Sequence, residues 1–224
     1  MHKVNSPAEL PEITYKVVGS GDDGAHVWIR KNQSEAQPLA EAEEGGFEAD
    51  EVFFTVNPEK VSEAEIAADS DFWFDQMKDM VEGASGNHLG VEEFRATKRA
   101  ELSGLCAARI IEGVDVSLPG GTEHFSLTER DQLNLFGKQA QIAAGATELE
   151  YHSDGAPCRY YTAEEMSDII ESAMMHVTLL TTCCNSLFTW LKACTKASEI
   201  ARIQFYSEIP EEYQSEVLKG FAGK

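Results

Sequence analysis

Positive charge is what this sequence has least of. Its 224 residues hold 18 lysines and arginines against 39 aspartates and glutamates, a formal net charge of −21 with histidine neutral. Cutting at Arg95 leaves 7 basic and 21 acidic residues before the cut, hence −14, and 11 against 18 after it, hence −7. Direct nucleic-acid binding needs a cationic face to displace counterions, so no nucleic-acid partner is expected. Anionic membranes are disfavoured for the same reason. A basic partner suits the imbalance, although solubility alone explains it equally well. Residues 1–30 lack both a basic start and an apolar run of the length a secretory leader needs. The five cysteines (Cys106, Cys158, Cys183, Cys184 and Cys194) include no CxxC pair, which removes support for a zinc ribbon or a thioredoxin-type site. Buried free thiols are the expectation.

Charge is also missing locally. From Ser172 to Leu191 there is no Asp, Glu, Lys or Arg. The surrounding stretch, Thr162 to about Thr195, opens on a capping box, Thr162 with Glu165. Apolar or small residues then recur at Met166, Ile170, Ala173, Val177, Leu180, Cys184, Leu187, Leu191 and Cys194. Alternating steps of four and three keep one seam facing a partner. A helix uncharged most of the way round is buried, in a core or between subunits. A membrane span is disfavoured, because the run carries Ser172, His176, Thr178, Thr181, Thr182, Asn185, Ser186 and Thr189 and lacks flanking cation clusters. An intramolecular bundle and a self-associating coiled coil both remain open, since they share this spacing. The polar Thr181, Thr182 and Asn185 either fix register between helices or bond back to their own carbonyls.

Elsewhere the pattern is α+β in two modules. A polar lead-in (1–11) precedes strands at Ile13–Val18 and Ala25–Arg30, joined by GSGDDG as a hairpin. Residues 32–51 read as an acidic loop, with seven acids and no base from Glu35 to Glu51. EVFFTV (Glu51–Val56) is a third strand, and Ser62 with Glu65 caps a helix that Ser70 restarts. GASGNHLG, residues 83–90, reads as a linker. Residues 1–82 thus form a β-rich acidic module and 91–224 a helical one. The second contains a helix at 91–112, a hairpin at Val114–Leu127, and a helix capped by Thr128 that holds Leu133, Leu135, Phe136, Ala140 and Ile142. A second hairpin follows around Asp154–Gly155, then the long helix, a short helix at Ser198–Phe205 and a last one opened by Pro210.

Candidate chemistry fails on spacing. His124, His152 and His176 with Asp154, Cys158, Cys183 and Cys184 are the residue types of a metal or hydrolytic site. A helical metal pair wants ligands three or four apart; from His176 those positions are Leu179 and Leu180. His176 is expected to be a hydrogen-bonded structural residue beside Thr178 or Asn185, and Asp154 to be turn chemistry. GSGDDG lacks the lysine of a phosphate loop. DSD at Asp69 to Asp71 lacks a calcium-loop pattern, and no GxSxG surrounds Ser186. No catalytic residue, cofactor or metal is assigned.

KRAELSGLCAARI (Lys98–Ile110), HFSLTERDQLNLFGKQAQIAAG (His124–Gly145), LEYHSDGAPCRYYTAEEM (Leu149–Met166) and HVTLLTTCCNSLFTWL (His176–Leu191), in that order, resemble a domain family of bacteriophages and prophages. Its members are small proteins encoded beside tail or tail-fibre genes, and the resemblance covers about residues 91–220. It implies a non-enzymatic tail-associated structural or attachment protein, with other tail or tail-fibre proteins as partners. It places the protein in the bacterial host cytoplasm during assembly and in the virion tail if structural. An assembly chaperone that leaves the particle, an acidic DNA-mimic inhibitor and a tail-borne hydrolase are the competing expectations.

Aromatics dominate interface energetics, so Tyr15, Trp28, Phe53 and Phe54 are candidate docking anchors; filling the small module's own core is the alternative. Ile170, Val177, Leu180, Leu187 and Leu191 are the candidate interface of the long helix, with a homo-oligomer as its expected consequence.

Overall fold

The structure, a computed structural model, describes residues 1–36 and 46–222 and is mixed α+β. It divides into two compact units: Met1–Lys98 with Ala193–Ile203, and Arg99–Lys192 with Gln204–Lys224. The division falls near Lys98 and not in residues 83–90.

The first unit is built on a sheet ordered β1–β4–β3–β2, from β1 (His2–Ser6), β2 (Ile13–Val17), β3 (Ala25–Ala36) and β4 (Gly46–Val56), all antiparallel. Alternation along AHVWIR and EVFFTV sends Ala25, Val27 and Ile29 of β3 and Val52, Phe54 and Val56 of β4 to one face. Helices α1 (Glu63–Ala68) and α2 (Ser70–Met77) cover that face with Ile66, Trp73, Phe74 and Met77. The buried Arg30 pairs with Glu51 at 2.7 Å and donates to the Pro11 carbonyl and the Thr14 hydroxyl. Asn32 takes a positive φ of 55° where the β3–β4 register shifts. A short polar side chain tolerates that left-handed conformation at a bulge.

Five sequence expectations need correction in this unit. The lead-in contains a strand: β1 pairs antiparallel with β4 over five residue pairs, its side chains mostly polar, with Lys3 beside Glu48 and Asp50 and His2 beside Glu51. The acidic loop is shorter than 32–51, because β3 and β4 extend into it; its residues 37–45 lie outside the described ones. The glycine-rich 83–90 is no linker: β5 (Ala84–Ser85) adds parallel to β4 and Leu89 is buried. The Ser62 box is half made. Ser62 Oγ accepts from the Glu65 N–H, but Glu65 reaches forward to accept from Val91 N–H at 2.6 Å, at the start of α3 (Val91–Glu112). Ser70 makes no cap bond; its hydroxyl donates to Glu12 and accepts from Lys31. The unit closes with α6 (Ala197–Arg202), whose Ser198 N–H donates to Asp69.

The second unit repeats one theme, a hairpin leading through a capped threonine into a helix. Strands β6 (Val114–Leu118) and β7 (Gly121–Phe125) precede α4 (Glu129–Ala143); β8 (Glu148–Tyr151) and β9 (Arg159–Thr162) precede α5 (Ala163–Ala193). Both capping boxes are reciprocal: Thr128 with Asp131, and Thr162 with Glu165. The hairpins close over the first turns of α5, where Leu118, Phe125, Leu149, Tyr161, Met166 and Ile169 share a core. Glu123 of β7 joins them, taking the Tyr161 hydroxyl and the Arg159 guanidinium at 2.6 Å each.

Further along, α3 lies against α5. Arg99 stacks over Phe188 at 4.0 Å, Cys184 Sγ donates to the Leu102 carbonyl, Cys106 Sγ donates to the Leu180 carbonyl, and His176 bonds the Arg109 carbonyl. Ascending numbers on one helix meet descending numbers on the other, so the pair is antiparallel with partners three or four residues apart. The 4-3 seam therefore packs inside the chain, the bundle alternative. The final helix is broken: a 3-10 turn (Glu211–Tyr213) precedes α7 (Glu216–Ala222).

Candidate interaction surface

One group of residues has the makings of hydrolytic chemistry. His124 sits 2.7 Å from Asp115, and Ser126 donates both its hydroxyl and its N–H to Asp154. A nucleophilic serine needs the base bonded to its hydroxyl. Here the second nitrogen of His124 is 2.7 Å from the Glu112 carbonyl, and Ser126 faces the carboxylate. Two acceptors favour the protonated ring, so His124 is held above its usual pKa, first by Asp115 and then by the carbonyl. Ser126 lowers that of Asp154. The cluster clamps the hairpins: Asp154 N–H also donates to the His124 carbonyl at 2.9 Å. Asp154, expected as turn chemistry, ties its turn to β7. His152 and Cys158 are exposed. Among the described residues no group of three His, Cys, Asp or Glu side chains is placed to hold a metal ion. No described helix is long and apolar enough to cross a membrane.

The nine candidate interface residues separate by burial. Phe54 is fully buried and stacks on Trp73; Tyr15 packs on the same core and donates its hydroxyl to the Val61 carbonyl. Both serve the core alternative. Trp28 and Phe53 point to the opposite face of the sheet, half-buried and stacked 4.9 Å apart, with His26 edge-on to both. In α5, Leu187 and Leu191 are fully buried and Ile170 nearly so. Leu187 and Leu191 are core residues, not surface anchors, whereas Ile170 lines a depression between α4 and α5. Val177 and Leu180 are half-buried.

The exposed apolar surface lies elsewhere in the second unit. Phe136 of α4 is 68% exposed, and Met174 and Met175 of α5 are 55% and 57% exposed. They border three connected depressions. The first, about 320 Å³, lies between α4 and α5 over Ile170, Ala173 and Val177. The second, about 600 Å³, shares Met174 and Thr178 with it and reaches Phe221 of α7. The third, about 560 Å³, continues from Met175 and Phe221 to Leu179, Ile209 and Leu218. Among the described residues lining these depressions only Glu171 is charged. An apolar groove of this kind, continuous over three depressions, is a candidate interaction surface. The helix expected to be buried in a core or between subunits thus leaves one face open within this chain. Phe136 was legible only as a helix residue. Its place three positions after Leu133, itself exposed, was the available signal.

With that geometry in view, residues 93–203 are similar to the family described as Domain of unknown function (DUF4376). The matched stretch contains α3 from Glu93 onward, both hairpins, α4, α5 and α6. No curated protein and no solved structure matches the chain.

Proposed function

We propose that this chain is a non-enzymatic, bacteriophage tail-associated structural or attachment protein, a part of a tail fibre or baseplate that works through protein–protein contacts. The observation that carries the reading is the open groove along α5, apolar and nearly free of charge in a chain of net charge −21. A surface of that kind is stable in water when another protein covers it. The order of segments between Lys98 and Leu191, which resembles the phage family, supplies the setting. In this reading the protein is made in the host cytoplasm and joins other tail or tail-fibre proteins there.

Mass spectrometry of purified particles, beside a pull-down from infected cells, tests it. Recovery in particles at a fixed ratio to a tail protein is the expected result. Capture of a tail protein only from cells assigns an assembly chaperone that leaves before completion. Finding no tail protein in either experiment removes the reading.

A further inference from the structure

The groove constrains what covers it. We infer that its occupant is a basic amphipathic helix of a partner protein, which deepens the protein–protein reading above and rests on it.

The shape argues for a helix. The floor is α5 from Ser167 to Cys183, about 24 Å of axis at 1.5 Å per residue. The walls are α4 on one side and the C-terminal segment from Ser207 to Phe221 on the other. The walls are helical in α4 and α7 and irregular at 207–210 and 214–215; none of the described lining residues belongs to a strand, so an extended segment docking here finds no strand edge to ladder with its N–H and C=O groups. A helix brings those bonds with it and needs only an apolar face, with anchors three and four residues apart. Met174 and Met175 mark the middle, and unbranched thioether side chains adapt to such anchors.

Charge selects the opposite face of the occupant. No Lys or Arg occurs from Ala163 to Cys183, while Glu164, Glu165, Asp168 and Glu171 do. None occurs from Gln204 to Leu218 either, where Glu208, Glu211, Glu212 and Glu216 lie, Glu211 pairing with Lys219. Two of the three elements that form the groove thus carry an acidic excess, while the α4 wall, with Glu129 and Asp131 against Arg130 and Lys138, is balanced. Lysines and arginines flanking the apolar stripe of an incoming helix complement the two acidic elements. A second copy would bring acid against acid.

The probe is a fluorescein-labelled leucine/lysine peptide of about 18 residues, patterned as an amphipathic helix to span the groove. It is titrated with the full chain by anisotropy at physiological salt. Binding is expected to weaken at least about tenfold in the Phe136→Glu/Met174→Glu double variant, the loss of roughly one buried apolar side chain's contribution. Both side chains are exposed, and circular dichroism checks that the fold is kept. Because the variant adds two negative charges, attraction by charge alone would strengthen. Unchanged or tighter binding therefore overturns the inference. So does equal affinity for a scrambled peptide of the same composition, or a loss of the same size in Leu133→Glu, an exposed apolar position outside the groove. Concentration-dependent dimerisation in light scattering that the double variant abolishes would assign the groove to a second copy, and also overturns it. Failure here, with the protein still recovered in particles, removes the basic helix and leaves the tail-associated role standing.

Discussion

Phe54 and Trp73 stack with ring centroids 5.6 Å apart and planes within 6°, and Gly86 closes over both. A Cβ on Gly86 would lie 2.8 Å from the Phe54 ring and 3.1 Å from the Trp73 ring. Gly86→Ala is therefore expected to destabilise by about 1–3 kcal/mol through overpacking. Trp73→Ala should cost about 3–5 kcal/mol through the cavity it leaves. Urea unfolding followed by circular dichroism measures both. A Gly86→Ala protein as stable as the parent would mean that the rings give way freely.

That glycine explains part of what the sequence concealed. Residues 83–90 have linker composition because β5 and its turn pass close to two stacked rings, not because the chain is free there. β1 was hidden for a different reason: its backbone pairs with β4 while its side chains are mostly polar, so no apolar alternation marks it. The two hairpins and the threonine-capped helices were readable, because alternation and capping are local signals. The groove was not. Leu135 and Phe136 both line it, one buried and one exposed, and helical spacing does not say which of two adjacent apolar residues meets water. The same limit applied to Tyr15, Trp28, Phe53 and Phe54, where alternation divides the faces and only the covering helices decide which is core.

Gly113 ends α3 with φ +89°, and a Cβ there would fall 2.0 Å from the Phe125 carbonyl oxygen. Left-handed strain and the clash act together, so Gly113→Ala should lose about 2–5 kcal/mol. Backbone cannot swing aside as a flexible side chain can. A loss under about 1 kcal/mol in denaturant titration would show that the turn re-forms at little cost.

Glu123 joins the hairpins. Burial alone would raise its pKa; the bonds from Tyr161 and Arg159 outweigh that and lower it. Stability from a lowered carboxylate is present above its unfolded pKa and is lost as pH falls through the folded one. Glu123→Ala leaves the buried Tyr161 hydroxyl without this acceptor, at about 1–3 kcal/mol, whereas Tyr161→Phe should cost about 0.5–1.5 kcal/mol. A double-mutant cycle should return a coupling between them. Strict additivity would show the bond to be idle.

His124 gives the opposite sign. Its pKa is raised, chiefly by Asp115, so its contribution is complete below the unfolded value near 6.5 and is lost as pH rises through the folded one. Asp115→Asn should move the His124 titration, followed by NMR, down toward the unperturbed value. It should lower stability in mildly acidic solution more than in alkaline solution. If the titration does not move, the Glu112 carbonyl alone is holding the proton.

The thiols should separate by burial when a disulfide reagent such as DTNB is added to the folded protein. Cys158 is exposed on the β8–β9 turn and is expected to react first. Cys184 is buried against α3, and burial, with the neighbouring Cys106 adding to it, pushes its thiol up to about 12. Burial raises Cys183 and Cys194 as well. A thiol that hardly ionises at neutral pH supplies almost no thiolate, which is the reacting species. One rapid equivalent is expected in native buffer, and all five in urea. A Cys158→Ser protein should lose the rapid phase without losing stability. If it still reacts rapidly and mass mapping places the label on Cys184, the antiparallel contact of α3 with α5 opens in solution far more often than buried thiols bonded to the opposite helix's carbonyls allow.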